Sequence, residues 1–207
     1  MFAHFGWSMP LVWLGSYLAG SIPSGVVFSR LFRGIDVRKS GSGNIGSANV
    51  FRVAGPGPAA MTLLFDAIKG FVPIFIAQRL GMPLWALLLT GGAAIIGHNW
   101  SIFLRGRGGK GIATSLGVLA GIAPLVTIIA LAVWVVVIIG SRYASLASLL
   151  MMGSVPVLLA ILGYTYTYWI FGAGLVLLAI YRHRGNIARL LHGTELKIST
   201  SSAGRGG

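Results

Sequence analysis

Apolar residues fall in long runs divided by short, basic, glycine-rich stretches. A helix that crosses hydrocarbon needs roughly 20 mainly apolar residues, so the runs read as membrane spans. The first covers about Trp7 to Phe28, the second Pro58 to Ala77 and the third Pro83 to Leu104. No Lys or Arg precedes Arg30, so the first run lacks the basic start of a cleaved leader and is expected to be retained. The stretch from Gly111 to Gly140 is long for one span and short for two. Gly121 and Pro124 lie in its middle, and a proline inside a helix breaks or kinks it. The stretch therefore divides into a short fourth span, Gly111 to Ala123, and a fifth, Leu125 to Ile139. The sixth covers Ser145 to Leu162 and the seventh Tyr166 to Tyr181, where Tyr164, Tyr166, Tyr168 and Trp169 form an interfacial aromatic belt. The pattern predicts an all-α integral membrane protein with a bundle of seven transmembrane helices, some short or broken; five or six spans is the alternative count. Residues 1–195 are expected to form one transmembrane domain and residues 196–207 a polar, flexible tail.

Composition sharpens this. Of 207 residues 56% are hydrophobic and only 9% charged, whereas a soluble domain carries about 25% charged residues. A soluble enzyme is excluded, and so is disorder, because apolar runs fill the chain. There is no cysteine, hence no disulfide, thiolate nucleophile or Cys-ligated metal. The 16 Lys and Arg against 3 Asp and Glu give a net charge of +13. With seven spans, 14 of the 16 basic residues fall on one side. Arg79 lies on the other side, and Lys69 lies inside the second span. Basic loops stay in the cytoplasm, so the N-terminus is expected outside and the C-terminus cytoplasmic. A nucleic-acid binder is excluded because the charges are split among membrane-bounded loops.

Three of those loops carry chemistry. The first, Val37 to Arg52, contains Gly41, Gly43 and Gly46 in a formal G-x-G-x-x-G. A Rossmann reading needs a preceding strand and a βαβ unit, which two flanking membrane spans do not allow. Glycines do bring backbone N–H groups close to an anion, and Ser40, Ser42, Asn44, Ser47 and Asn49 add donors. Arg52 offers a fork suited to phosphate or carboxylate. The second loop runs from Gly97 and His98 through Gly108, Gly109 and Lys110. Leu104 and Gly111 stand where a Walker A motif needs Gly and Ser/Thr, so it is no ATPase signature. It is a glycine-rich anion nest with a point-charge Lys at the start of a helix. In the third segment, Tyr181 to Glu195, His183 and Asn186 are spaced to share a helix face, with Arg182, Asn186 and Arg189 on an adjacent one. Asp66 and Lys69, three apart inside the second span, read as a structural ion-pair clasp, and Asp36 as a loop salt bridge.

With these segments the chain resembles the bacterial acyl-phosphate:glycerol-3-phosphate acyltransferase family. Its three cytoplasmic motifs match Ser40 to Asn49 with Arg52, then Gly97-His98 with Gly108 to Thr114, then Arg182 to Arg184 with Asn186-Ile187. Gly20 to Pro23, Asp66 and Lys69-Gly70 match further family features, and the similarity runs from about Gly20 to Glu195. Departures are Ala48 where the family has Thr, Trp100-Ser101 where it has an aromatic-Pro pair, and Arg107 where Lys is usual.

The resemblance implies transfer of a fatty acyl group from acyl phosphate to the sn-1 hydroxyl of glycerol 3-phosphate. The products are lysophosphatidic acid and phosphate, and the step opens phospholipid synthesis. It implies a multi-pass protein of the bacterial cytoplasmic (inner) membrane, its site facing the cytoplasm, with membrane lipid as a partner, no cofactor and no metal. Expected catalytic residues are His183, Lys110, Arg52 and Asn186. Expected substrate-binding residues are Ser42, Gly43, Asn44, Gly46, Asn49, His98, Gly108, Gly109, Thr114 and Arg182. Acyl phosphate is already activated, so direct attack without an acyl-enzyme suffices. A substrate phosphate is the expected proton acceptor, because no Asp or Glu is expected to lie near enough to orient His98 or His183. The three stretches are expected to form one pocket. A second acyltransferase class, built on His-x₄-Asp, is excluded: Met9, Phe103, Ala188 and Lys197 stand five places after the four histidines. The remaining alternative is a transporter of a small organic phosphate.

Overall fold

The computed structural model describes residues 8–198, and every regular element among them is helical. In chain order these are α1 (Ser8–Ser21), α2 (Ser24–Arg33), α3 (Ser47–Ala54), α4 (Pro56–Arg79), α5 (Leu84–Asn99), α6 (Ile112–Ile122), α7 (Pro124–Ser141), α8 (Ala144–Ile161), α9 (Tyr166–Arg182) and α10 (Arg184–Leu191). Tight 3₁₀ turns cover Val37–Lys39 and Ile102–Leu104. The start of the first predicted span at Trp7 and the tail at 199–207, Arg205 included, lie outside the described residues.

A helix stands at each predicted span, and among the described residues five stretches are long and apolar enough to cross a membrane: Met9–Arg33, Pro56–Arg79, Leu84–Leu104, Pro124–Ser141 and Ala144–Ile161. The protein is an all-α, multi-pass membrane protein. The α6 helix, with 11 residues, and α9, with 17, are shorter. The first span is not one helix. It breaks at Ile22-Pro23, where proline supplies no N–H to continue the ladder. The expected division before Pro124 is present: α6 ends at Ile122, and Pro124 opens α7, a position where a missing N–H costs nothing.

The chain forms two compact units, one of the chain up to Pro23 with Leu64–Ile122, the other of Ser24–Leu63 with the chain from Ala123. In the first unit α1 packs on α5 through facing glycines. A methyl on Gly20 would overlap the Ala94 carbonyl, and one on Gly97 the Tyr17 carbonyl. Likewise Gly70 of α4 meets the Thr114 carbonyl, and Gly117 of α6 meets that of Ala67. Small residues at such crossings let helix backbones touch, which is how packing is gained where lipid removes the hydrophobic drive. Polar groups then bridge the α1 and α5 region. Trp13 Nε1 donates to the Ala86 carbonyl (3.3 Å), the Tyr17 hydroxyl to Trp100 (3.0 Å) and Ser21 Oγ to Gly97 (3.2 Å). Ser101 Oγ donates to the Ser21 carbonyl at 2.5 Å.

In the second unit α8 packs against both α7 and α9. Trp134 Nε1 reaches Ser148 Oγ at 3.3 Å, and Gly172 lies against Pro156 and Leu159. Met151, Met152, Val155 and Leu159 fill the interior, while Ile128, Val136 and Ile139 of α7 point outward, 66–73% exposed, a surface suited to hydrocarbon rather than water. Tyr164 and Tyr168 meet edge to face at 5.0 Å. Gly25 of α2 lies against the Ile45 carbonyl, which ties that helix to the first loop.

Candidate active site

The first loop, in the second unit, is organised around one amide. Asn49, fully buried at the start of α3, places Nδ2 within hydrogen-bond distance of the carbonyls of Val37 (3.1 Å), Ser40 (3.1 Å) and Asn44 (2.9 Å). Its Oδ1 accepts from the Ser42 N–H at 2.8 Å. The loop closes on it with Gly41 and Gly43 at φ of +61° and +70°, values that favour glycine. Asn44 Oδ1 accepts from the Gly46 N–H (2.8 Å) and so shapes the entry to α3. Asn49 thus holds the loop together through both ends of its amide. Ser42 and Gly43 stand exposed at the tip, with Asn44 and Gly46 half-buried. Asp36 pairs with Arg38 (2.6 Å) and Arg30 (2.8 Å), as the loop salt bridge predicts. The Arg38 hydrogen bond holds its carboxyl well below the usual range despite some desolvation.

Arg52, on α3, is half-buried, and its Nη2 donates to the Leu196 carbonyl at 2.9 Å. Burial pulls the guanidinium below its usual value; Glu195 opposes this and Arg189 adds to it. The first loop and third segment therefore meet within this unit. His183 sits at the junction of α9 and α10, 2% exposed, with Nδ1 2.8 Å from the Ala179 carbonyl. A carbonyl only accepts, so Nδ1 carries the proton. Asn186 is buried, and its Nδ2 donates to Glu195 Oε1 at 2.5 Å. The same oxygen accepts from Ser145 Oγ at 2.9 Å, and Oε2 from Arg189 Nε at 2.8 Å. Desolvation pushes the Glu195 carboxyl up, but these three donors outweigh it and hold it below the ordinary range. Residues 196–198 are tied down as well: the Ile198 N–H donates to the Arg142 carbonyl (2.8 Å), and Lys197 lies over the Tyr143 ring. Arg182 is half-buried at the end of α9.

The second loop belongs to the first unit. The Gly109 N–H donates to the His98 carbonyl at 2.9 Å, and Gly108 lies against the backbone of His98 and Asn99. A methyl on Gly109 would overlap His98 Nε2. Lys110 follows, half-buried. Asp66 and Lys69 form the expected ion pair at 2.8 Å, and Lys69 Nζ also donates to the Ile22 carbonyl (2.9 Å) exposed by the break before Pro23. Asp66 Oδ1 further lies 3.6 Å from His98 Nδ1. That corrects the expectation that no carboxylate attends His98; the fold brings together residues 32 apart in sequence. Asn99, which the motif reading passed over, and Thr114 are fully buried, and neither the Asn99 amide nor the Thr114 hydroxyl finds a hydrogen-bond partner among the described residues. Among the described residues no group of three or more His, Asp or Glu side chains could hold a metal ion.

Cationic forks, exposed N–H groups and buried amides suit phosphate-bearing ligands. A family model described as glycerol-3-phosphate acyltransferase matches residues 10–193. The chain belongs to the glycerol-3-phosphate acyltransferase family. The relative from Desulforudis audaxviator bearing that name is 48% identical, with 89% of this chain and 92% of the relative covered. The one from Rubrobacter xylanophilus is 44% identical over 95% and 98%. A crystal structure of PlsY, an integral membrane glycerol 3-phosphate acyltransferase in its glycerol 3-phosphate form, superposes with a TM-score of 0.88 at 38% identity, covering 93% of this chain and 96% of that one. Its lysophosphatidic acid form gives 0.86. Family membership overturns the transporter alternative. It places the chain among membrane acyltransferases of phospholipid synthesis.

Proposed function

We propose that the protein transfers a fatty acyl group from acyl phosphate to the sn-1 hydroxyl of glycerol 3-phosphate. The observation that carries this is the likeness to PlsY, whose two solved forms are named for glycerol 3-phosphate and for lysophosphatidic acid, molecules that differ by one acyl group. The hydroxyl oxygen attacks the acyl carbonyl carbon, the carbon–oxygen bond to phosphate breaks, and the released phosphate takes the hydroxyl proton. The absence of cysteine and the activated donor both favour direct attack. Arg52 and Lys110 clamp phosphates, the first-loop N–H groups around Ser42, Gly43, Asn44 and Gly46 orient them, and Asn49 shapes that loop. Gly108, Gly109, Thr114 and Arg182 contribute to the same anion-holding task. His183 and Asn186 engage glycerol 3-phosphate. A substrate phosphate serves as the proton acceptor: the phosphate released at the attacked carbonyl lies beside the hydroxyl that loses its proton. The chain spans the bacterial cytoplasmic membrane seven times, N-terminus outside, with the loops that carry the motifs in the cytoplasm.

The test offers purified protein acyl phosphate, acyl-CoA and acyl-carrier protein in separate reactions with glycerol 3-phosphate. Lysophosphatidic acid from acyl phosphate alone is expected; product from a thioester alone overturns the donor. Arg52→Ala and Lys110→Ala should each lower turnover by about 10²-fold or more, as loss of one charge-stabilising donor does.

A further inference from the structure

Asp66 and Lys69 need each other inside a membrane helix, where an unpaired charge is costly. A clasp alone would end there. Instead the Asp66 oxygen that takes Lys69 at 2.8 Å is also 3.6 Å from His98 Nδ1. Lys69 in turn donates to the Ile22 carbonyl at 2.9 Å, which ties the ion pair to the chain before Pro23. The far end of the imidazole lies against Gly109, and the His98 carbonyl takes the Gly109 N–H. One buried residue therefore lies against the glycine loop through both ring and backbone, and a carboxylate stands 3.6 Å from the near nitrogen of its ring.

We propose that Asp66 is a positioning residue which, acting through His98, holds the Gly108–Lys110 loop in the shape that receives a substrate phosphate. The inference rests on the proposed anion-binding role of that loop. Asp66 touches no substrate, and its effect appears in how well the phosphate is held more than in the chemical step. The route through His98 sets it apart from a pair that only steadies α4, and the two make different predictions.

The experiment is a double-mutant cycle on kcat and KM, run with whichever donor the wild-type protein uses, so a wrong donor assignment leaves it unaffected. Asp66→Asn and His98→Ala should each raise the KM for one phosphate substrate by about tenfold or more, with a smaller change in kcat. The double variant should be no worse than the poorer single, because both remove one support. Multiplying penalties, a change confined to kcat, or no change in either KM overturns the proposal. Should the variants not fold, the wild-type protein decides. In a ¹⁵N spectrum, with the ring assigned by its contact to Gly109, His98 Nδ1 is expected to carry a proton directed at Asp66. An unprotonated Nδ1 cannot donate to a carboxylate and overturns the proposal equally.

Discussion

Asn49→Ala would strip the first loop of its central tie, leaving the Ser42 N–H and the carbonyls of Val37, Ser40 and Asn44 to find other partners. Buried groups left unpaired cost about 1–3 kcal/mol each. The expected outcome is a lower melting temperature together with loss of acyl transfer, measured on the same detergent preparation. Glu195 makes a second prediction at this scale. Its carboxyl is held low in the folded protein, so it stabilises the fold above the ordinary glutamate value of about 4.3. That contribution is lost as pH falls through the lower folded value. Glu195→Gln should lower stability at neutral pH and flatten its fall on acidification, as thermal unfolding across pH would record. Neither role was visible in the sequence. The donor types of the first loop were, but which of them turn inward depends on the fold. Glu195 returns to Asn186 only because the chain reverses at Gly193, at φ of +68°.

The helices themselves divide by how they could be foreseen. Apolar runs announced the spans, and Pro124 announced the α6–α7 division, because both are local properties of the chain. The break at Ile22-Pro23 was hidden inside one apolar run, and the fold uses its free carbonyl to hold Lys69. The short helices α2, α3 and α10, of 8–10 residues, lie in or beside the basic segments. Isolated helices of that length are marginal, so partners elsewhere in the chain decide them. The glycine crossings belong to this scale too. Gly117→Val should force α6 from the Ala67 carbonyl of α4, and Gly97→Val should force α5 from α1. Each is expected to lower the melting temperature in detergent by more than Gly92→Val, where no atom lies within 4 Å of an added methyl group. Equal losses at all three positions would deny that these contacts hold the helices together.

For the molecule as a whole, the span count can be argued from parity. Two groups joined by a hydrogen bond at membrane edges lie on one side, so the chain between them crosses an even number of times. The Ile198 N–H donates to the Arg142 carbonyl, and between them lie α8 and α9; in the proposed topology both cross, which keeps the two groups on one side. Arg52 donates to the Leu196 carbonyl, and α4 to α9 intervene. In the proposed topology all six of these helices cross, an even number. The proposed total of seven, with both short helices counted, agrees with these bonds and is the total that sorts the basic residues onto one face. The absence of cysteine makes this testable by single-cysteine labelling in oriented vesicles. Seven spans place Ser42→Cys, Gly106→Cys and Arg142→Cys on the cytoplasmic side and Gly81→Cys and Gly163→Cys on the other. Five spans, with α6 and α9 not crossing, exchange the sides of Arg142 and Gly163 while leaving the other three unchanged. The pair at 142 and 163 therefore decides the count: label reaching Gly163→Cys from the cytoplasmic side would break the parity argument and with it the seven-span topology.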